Sequence, residues 1–192
     1  MLKKEVRQEV LLELEELSNQ KEQKEQAQEK VRKGLFHSKE WQEATVIGIT
    51  LSMDKEFDTL PIIQQAMSEN KRVGIPVTFD KGRMMFCEYR IGDALERTSF
   101  GVLEPTNQLE IHKDEIELLL VPGVAFSSKG YRVGFGGGFY DRYLVDFKGT
   151  TCSLVFASQL RDDWEPSHYD LPVDTLIIET KEEVAYVLST TH

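Results

Sequence analysis

Two cysteines and four histidines are all that this chain of 192 residues offers a disulfide or a soft metal, and neither type is clustered. Cys87 and Cys152 each sit inside an apolar run (MMFCEY and CSLVFA), which suits small buried hydrophobes and gives them no assigned chemistry. His37, His112, His168 and His192 have no ligand-type spacing, which argues against a metal site built on imidazole. No apolar run approaches the ~18 residues of a membrane span, and charge begins at Lys3. Neither a signal peptide nor a membrane anchor is therefore expected, and the protein is expected in the cytoplasm. Positive charge is also in deficit. With 23 Lys and Arg against 33 Asp and Glu the formal charge is -10, which argues against nucleic-acid binding, because that affinity comes mainly from neutralising phosphates. Any anionic ligand must find a local positive pocket.

What is present fits one α/β domain: 40% apolar content over this length is enough for a single sizeable core. Near the N-terminus, Val6, Val10, Leu14 and Leu17 repeat at helical spacing, and Ser18 or Asn19 is placed to cap a second helix. That second helix offers a core only Ala27, Val31, Leu35 and Phe36. The first helix breaks a rule, since Lys3, Lys4 and Arg7 crowd its N-terminal turns, where the macrodipole disfavours cations. Lys3 and Arg7 share a face and together would grip a polyphosphate; a harmless basic tip is the equal alternative.

After a short helical turn at SKEWQEA, residues 44–51 (ATVIGITL) predict a strand apolar on both faces, as in a parallel sheet. A loop (SMDKEFD) and a helix with Pro61 in its first turn lead to a strand at 72–77, completing a βαβ unit. Further strands are expected at 83–90, 116–121, 152–157 and 174–179, with 91–113 mostly irregular. Strands alternating with helices predict a three-layer, Rossmann-like, mostly parallel sheet with helices on both faces. Residues 1–37 form an N-terminal helical extension packed on the 44–192 sheet core. Ligands of such sheets gather at the strands' carboxyl ends, so the 51–58 and 122–138 loops are expected to share a crevice.

The chain is organised around residues 121–144, VPGVAFSSKGYRVGFGGGFYDRYL. A strand, then Gly134, Gly136, Gly137 and Gly138, then a helix start reads as a phosphate cradle, because residues without a Cβ let backbone N–H groups approach phosphate oxygens. A flexible loop is the bland alternative. Lys129 and Arg132 upstream and Asp141 just after favour the triphosphate site, since a linker has no use for two cations and a metal-type carboxylate.

This stretch resembles the signature of the 5-formyltetrahydrofolate cyclo-ligases, also called 5,10-methenyltetrahydrofolate synthetases. The likeness extends to Lys3 and Arg7, to ITLSMDKEFDTLPII and to HYDLPVDTLI, so it covers essentially the whole chain. It implies an ATP- and magnesium-dependent enzyme that phosphorylates the formyl oxygen of 5-formyltetrahydrofolate and closes the ring to 5,10-methenyltetrahydrofolate. By the same resemblance ATP would bind Lys3, Lys4, Arg7, Arg132, Gly134, Phe135, Gly136, Gly137, Gly138, Phe139 and Tyr140. The folate would bind Leu51, Met53, Glu56, Gly136, Gly137, Gly138 and Phe139, and Mg²⁺ would bind Asp141 and Asp170. Asp174, four residues on, is a weaker candidate than either. Many relatives carry a basic side chain in the glycine loop where Phe135 and Gly137 stand here, which shifts charge neutralisation onto backbone amides, Lys129, Arg132 and the metal. The expected partners are these small molecules, with no nucleic acid and no membrane, and the expected state is a monomer. Two other readings remain: a sugar-phosphate isomerase or CoA-transferase-like enzyme on a similar sheet, and a non-catalytic nucleotide-binding protein.

Overall fold

The structure is a computed structural model and describes residues 1–190. Its helices are α1 (Lys3–Asn19), α2 (Lys21–His37), α3 (Lys39–Glu43), α4 (Leu60–Ser68) and α5 (Phe139–Tyr143). Its strands are β1 (Val46–Gly48), β2 (Arg72–Thr78), β3 (Met84–Glu88), β4 (Leu95–Arg97), β5 (Leu103–Pro105), β6 (Glu110–Ile111), β7 (Leu118–Leu120), β8 (Ala125–Phe126), β9 (Arg132–Val133), β10 (Thr150–Val155), β11 (Thr175–Ile178) and β12 (Tyr186–Ser189).

Eight strands form one sheet in the order β12-β11-β10-β7-β1-β2-β3-β6. The run β11-β10-β7-β1-β2 is parallel throughout, and β12, β3 and β6 add antiparallel edges. The predicted βαβ unit is β1-α4-β2, with Ile47 opposite Val73. Alternation along the central strands sends side chains to both faces. Ile47, Leu118, Leu120 and Ile177 join a core roofed by Val31 and Leu35 of α2, Trp41 of α3 and Ile62, Ile63 and Ala66 of α4. Val46, Leu119, Leu176 and Ile178 face the other way, onto Phe126, Tyr143 and Leu144. Burial on both faces is why these strands read as unbroken apolar runs. A third cluster joins Val6, Val10 and Leu14 of α1 to Ala27, Val124, Ala125, Val133, Phe156 and Trp164, which makes the N-terminal helix part of the core.

Several expectations are corrected. The first helix runs through Ser18 and Asn19, and α2 starts after Gln20 with no side-chain cap. The expected strands at 44–51 and 116–121 pair over only three residues each. The segment 91–113 holds the hairpin β4–β5 and strand β6. Its strands are only two or three residues long and lean on tertiary partners, so local pattern did not announce them. Most consequential, the glycine loop does not follow the main-sheet strand directly. It leaves β9, the second strand of a separate hairpin β8–β9, and the helix it opens has five residues before tightening into a 3₁₀ turn at Leu144–Asp146. Cys87 and Cys152 are buried free thiols, as their sequence setting suggested. His192 lies outside the described residues.

Candidate functional site

Strand order reverses between β1 and β7: the chain steps outward one way through β2 and β3 and the other way through β10 and β11. A doubly wound sheet opens a crevice at such a point, outside the carboxyl ends of the strands. Here the crevice is lined by Ile49, Thr50 and Glu56 after β1 and by Val121, Pro122 and Gly123 after β7, with Leu11 and Leu14 of α1 and Phe135 of the glycine loop closing its sides. The 51–58 and 122–138 loops therefore do meet.

The loop after β1 is pinned by its own hydroxyls. The Ser52 N–H donates to Thr59 Oγ1 and the Thr59 N–H to Ser52 Oγ, each at 3.0 Å, while Thr59 Oγ1 donates to the Thr50 carbonyl at 2.6 Å. This closure turns Glu56 inward, where Oε1 accepts the Met53 N–H at 3.2 Å. Burial pushes the Glu56 carboxyl above its ordinary range, opposed by that N–H and by Lys24. Glu56 also lines a polar cleft on its other side with Lys21, Lys24, Met53, Asp54 and Asp58. Burial lowers the Lys24 ammonium, against the pull of Asp58, Asp54 and Glu56.

Beside the crevice lies a cavity of about 250 Å³ lined by Lys3, Arg7, Arg132, the loop 134–138, Phe139, Tyr140, Asp141 and Asp170. The loop is held at two points. Arg7 Nε donates to the Gly134 carbonyl at 2.7 Å, and Arg142 Nη1 to the Gly137 carbonyl at 3.2 Å. Gly136 between them adopts φ +110° and Gly138 just beyond them φ +68°, backbone that side chains resist, and a Cβ on Gly134 or Gly136 would meet nothing within 4 Å. The open space over these two glycines is the room a phosphate needs.

Charge is arranged around it in pairs. Arg132, buried, donates from Nη2 to Asp141 Oδ1 at 2.9 Å and from Nη1 to the Leu171 carbonyl at 2.9 Å. Burial lowers the guanidinium, and Asp141 opposes that shift. Lys3 pairs with Asp170, which also accepts the Ser167 N–H at 2.7 Å. The two aspartates thus reach one cavity from distant chain positions. Two hard carboxylates beside a phosphate-sized space suit magnesium, which takes one or two protein carboxylates and completes its octahedron with phosphate oxygens and water. Among the described residues no group of three or more His, Cys, Asp or Glu forms a closed metal cage.

Other sequence candidates fall elsewhere. Lys4 and Lys129 are exposed and line neither cavity. Leu51 packs against the core cluster of α2 and α4, and Met53 is 49% exposed in the polar cleft, so the apolar wall beside Glu56 is built instead from Ile49, Phe57, Leu11, Leu14 and Leu154. Tyr140 lines the glycine cavity with its hydroxyl buried and unpartnered, and burial pushes the phenol up against the pull of Arg132. Asp174 accepts the Thr151 N–H at 2.9 Å and its hydroxyl at 3.0 Å, a purely structural tie between strands. Sequence reasoning missed Arg142 as a loop anchor and Leu11 and Leu14 as cavity walls. Arg142 sits inside the signature itself, whereas the leucines looked like ordinary core positions on an amphipathic helix.

A sequence profile described as the 5-formyltetrahydrofolate cyclo-ligase family matches residues 1–179. A protein of Haemophilus influenzae named 5-formyltetrahydrofolate cyclo-ligase is 30% identical over 163 residues, covering 81% of this chain and 87% of its own. An Escherichia coli protein of the same name is 30% identical over 145 residues, covering 72% and 80%. Among solved structures, the 5,10-methenyltetrahydrofolate synthetase of Aquifex aeolicus superposes with a TM-score of 0.84 at 27% identity, covering 100% of this chain and 94% of that one. The synthetase of Mycoplasma pneumoniae, at 20% identity and a TM-score of 0.72, shares the fold. A profile match across the sheet, the crevice and the glycine loop, joined to these relatives, shows that the chain belongs to the 5-formyltetrahydrofolate cyclo-ligase family.

Proposed function

We propose that the protein is an ATP-dependent ligase that cyclises 5-formyltetrahydrofolate to 5,10-methenyltetrahydrofolate, with ATP in the glycine cavity and the folate in the crevice at the β1/β7 reversal. One observation carries the reading. Lys3, Arg7 and Arg132 converge with two carboxylates on the open glycine loop, and that cavity adjoins a largely apolar crevice lined by a single, half-buried carboxylate, Glu56.

Phosphoryl transfer asks a protein for positioning and charge neutralisation, not covalent chemistry. The formyl oxygen attacks the γ-phosphorus, and the bond to ADP breaks with its electron pair leaving on ADP. The neighbouring amine nitrogen then attacks the activated formyl carbon; phosphate leaves with the former formyl oxygen, and the nitrogen loses its proton. This chain's residues bind and orient. Lys3, Arg7 and the loop N–H groups hold the phosphates, and Glu56 accepts from the paired amino and ring N–H donors of the reduced pterin. The crevice walls hold the two folate nitrogens in a closed conformer, which makes the ring closure an intramolecular step. Asp141 and Asp170 would hold magnesium, whose chemistry when bound is to neutralise phosphate charge. In this proposal the protein works as a monomer in the cytoplasm.

The test mixes protein, ATP, magnesium and 5-formyltetrahydrofolate and follows the methenyl product and ADP together. Product formation with matched ADP release is expected. ADP release indifferent to folate, or turnover of a sugar phosphate or CoA ester without ATP, overturns the proposal.

A further inference from the structure

The two cavities share a wall, and Phe135 is its exposed part. Among the described residues, only Pro122 and Phe135 line both the crevice and the glycine cavity. Pro122 is fixed by the strand that precedes it. Phe135 is 57% exposed and lies between Gly134 and Gly136, neither of which has a neighbour where a side chain would begin. The loop is tethered on both sides of it, by Arg7 at Gly134 and by Arg142 at Gly137, so the span left free is Phe135 and Gly136. Single exposed apolar side chains are ordinary on a protein surface, and exposure alone says little. The position is what distinguishes this one: an aromatic ring between tethered ends, at the mouth where the proposed phosphoryl donor meets its acceptor.

We propose that Phe135 is a specificity-determining residue whose ring packs on the flat, reduced-pterin end of the acceptor and closes the junction to water, so that the γ-phosphoryl group passes to the formyl oxygen and not to a water molecule. This rests on the function proposed above. A ring has no donor or charge to offer a phosphate, so its contribution falls on the acceptor side. Water is the competing nucleophile: its oxygen would attack the same phosphorus, the same bond to ADP would break, and inorganic phosphate would form with no methenyl product. A covered junction lowers the first-order access of water while leaving the in-line path of the bound formyl oxygen open.

The experiment compares the full-length parent with Phe135→Ala and Phe135→Leu, measuring KM for ATP, KM for 5-formyltetrahydrofolate and the ratio of ADP to methenyl product. The side chain is exposed, so both variants should melt close to the parent, and a melting curve checks this. For Phe135→Ala the folate KM should rise about tenfold, the size of effect expected for one lost aromatic contact, while the ATP KM stays within about twofold. ADP should also exceed product, whereas the parent should release the two in equal amounts. Phe135→Leu, which keeps apolar bulk, should restore most of the coupling and less of the folate affinity. An unchanged folate KM and an unchanged ratio in Phe135→Ala overturn the inference, as does a rise confined to the ATP KM, which would assign the ring to the nucleotide. A parent with no folate-dependent ADP release overturns the proposed function itself, a result distinct from either of these.

Discussion

Arg7 reaches across 127 residues of sequence to donate from Nε to the carbonyl of Gly134, so the first helix of the chain holds one end of its glycine loop. This explains the cations at the N-terminus of α1. Lys3 is matched by Asp170 and Arg7 by a carbonyl, so the dipole penalty is offset by tertiary partners. It also argues against α1 as a detachable arm for a partner, because Val6, Val10 and Leu14 of the same helix are buried.

Replacing Arg7 with Ala should raise the KM for ATP by about ten- to a hundredfold, the range for losing a charge-assisted hydrogen bond and a phosphate contact. The loop should also become more susceptible to proteolysis near Gly134. Steady-state kinetics and limited proteolysis with and without ATP check both effects. Arg7→Lys should recover only part of the affinity, since an ammonium lacks the planar fork.

Asp141 and Asp170 should separate on two axes. Asp141→Asn removes the partner of Arg132, whose side chain is 3% exposed. Leaving a buried cation unpaired costs about 3–5 kcal/mol, so melting temperature should fall as well as magnesium affinity. Asp170 faces Lys3, which is 30% exposed and can be rehydrated, so Asp170→Asn should raise the magnesium requirement with a much smaller loss of stability. Magnesium titrations beside thermal melts decide this. A magnesium requirement unchanged in both variants rules out the pair as the metal site.

Glu56 gives a pH prediction. Its carboxyl is raised by burial, so between its ordinary range and the higher folded value the native state holds a proton that the unfolded chain has lost. Its favourable contribution to stability is therefore complete below the unfolded value and is lost as pH rises through the folded one. Glu56→Gln escapes that loss. Relative to the parent it should be more stable near neutral pH, with the difference shrinking in acid, while the folate KM rises about a hundredfold for want of the charged acceptor. Thermal melts at several pH values, set beside the kinetics, test the pair of effects.

Gly136 and Gly138 should fail differently. At φ +110° Gly136 occupies backbone that any side chain strains, though the space beyond is open; at Gly138 an added Cβ would also lie 2.8 Å from Arg142 Nη1. Alanine at either should cost about 1–2 kcal/mol of local strain and lower kcat/KM for ATP at least about tenfold. Only Gly138→Ala should also disturb Arg142, and with it the hold on Gly137, so that in a double-mutant cycle Arg142→Ala costs less in the Gly138→Ala background than in the parent.

Much of the fold was legible because the signals were local and periodic. The apolar runs that became β1, β7, β10 and β11, the Pro61 helix start and the buried faces of α1 and α2 all follow from spacing. The short strands β4, β5 and β6 and the hairpin β8–β9 were not, because pairs of two or three residues are stabilised by what they lean on. At the site, the signature marked Arg132, the glycines, Tyr140 and Asp141, and these do line one cavity with Lys3, Arg7 and Asp170. The wall expected from Leu51 and Met53 beside Glu56 is built by other residues, since adjacency in sequence says nothing about which way a loop turns each side chain: Leu51 packs on the core and Met53 lines the polar cleft.

By itself the sequence determined which residues carry charge, which cannot carry side chains and which alternate into a core, because composition and periodicity are properties of the chain. Only the tertiary structure decided that α1 holds the glycine loop, that Arg132 and Lys3 already occupy the two aspartates, and that Phe135 stands between two cavities. The contacts of Arg7 with Gly134 and of Lys3 with Asp170 join residues 127 and 167 positions apart, and they exist only once burial of the apolar faces has brought those segments together.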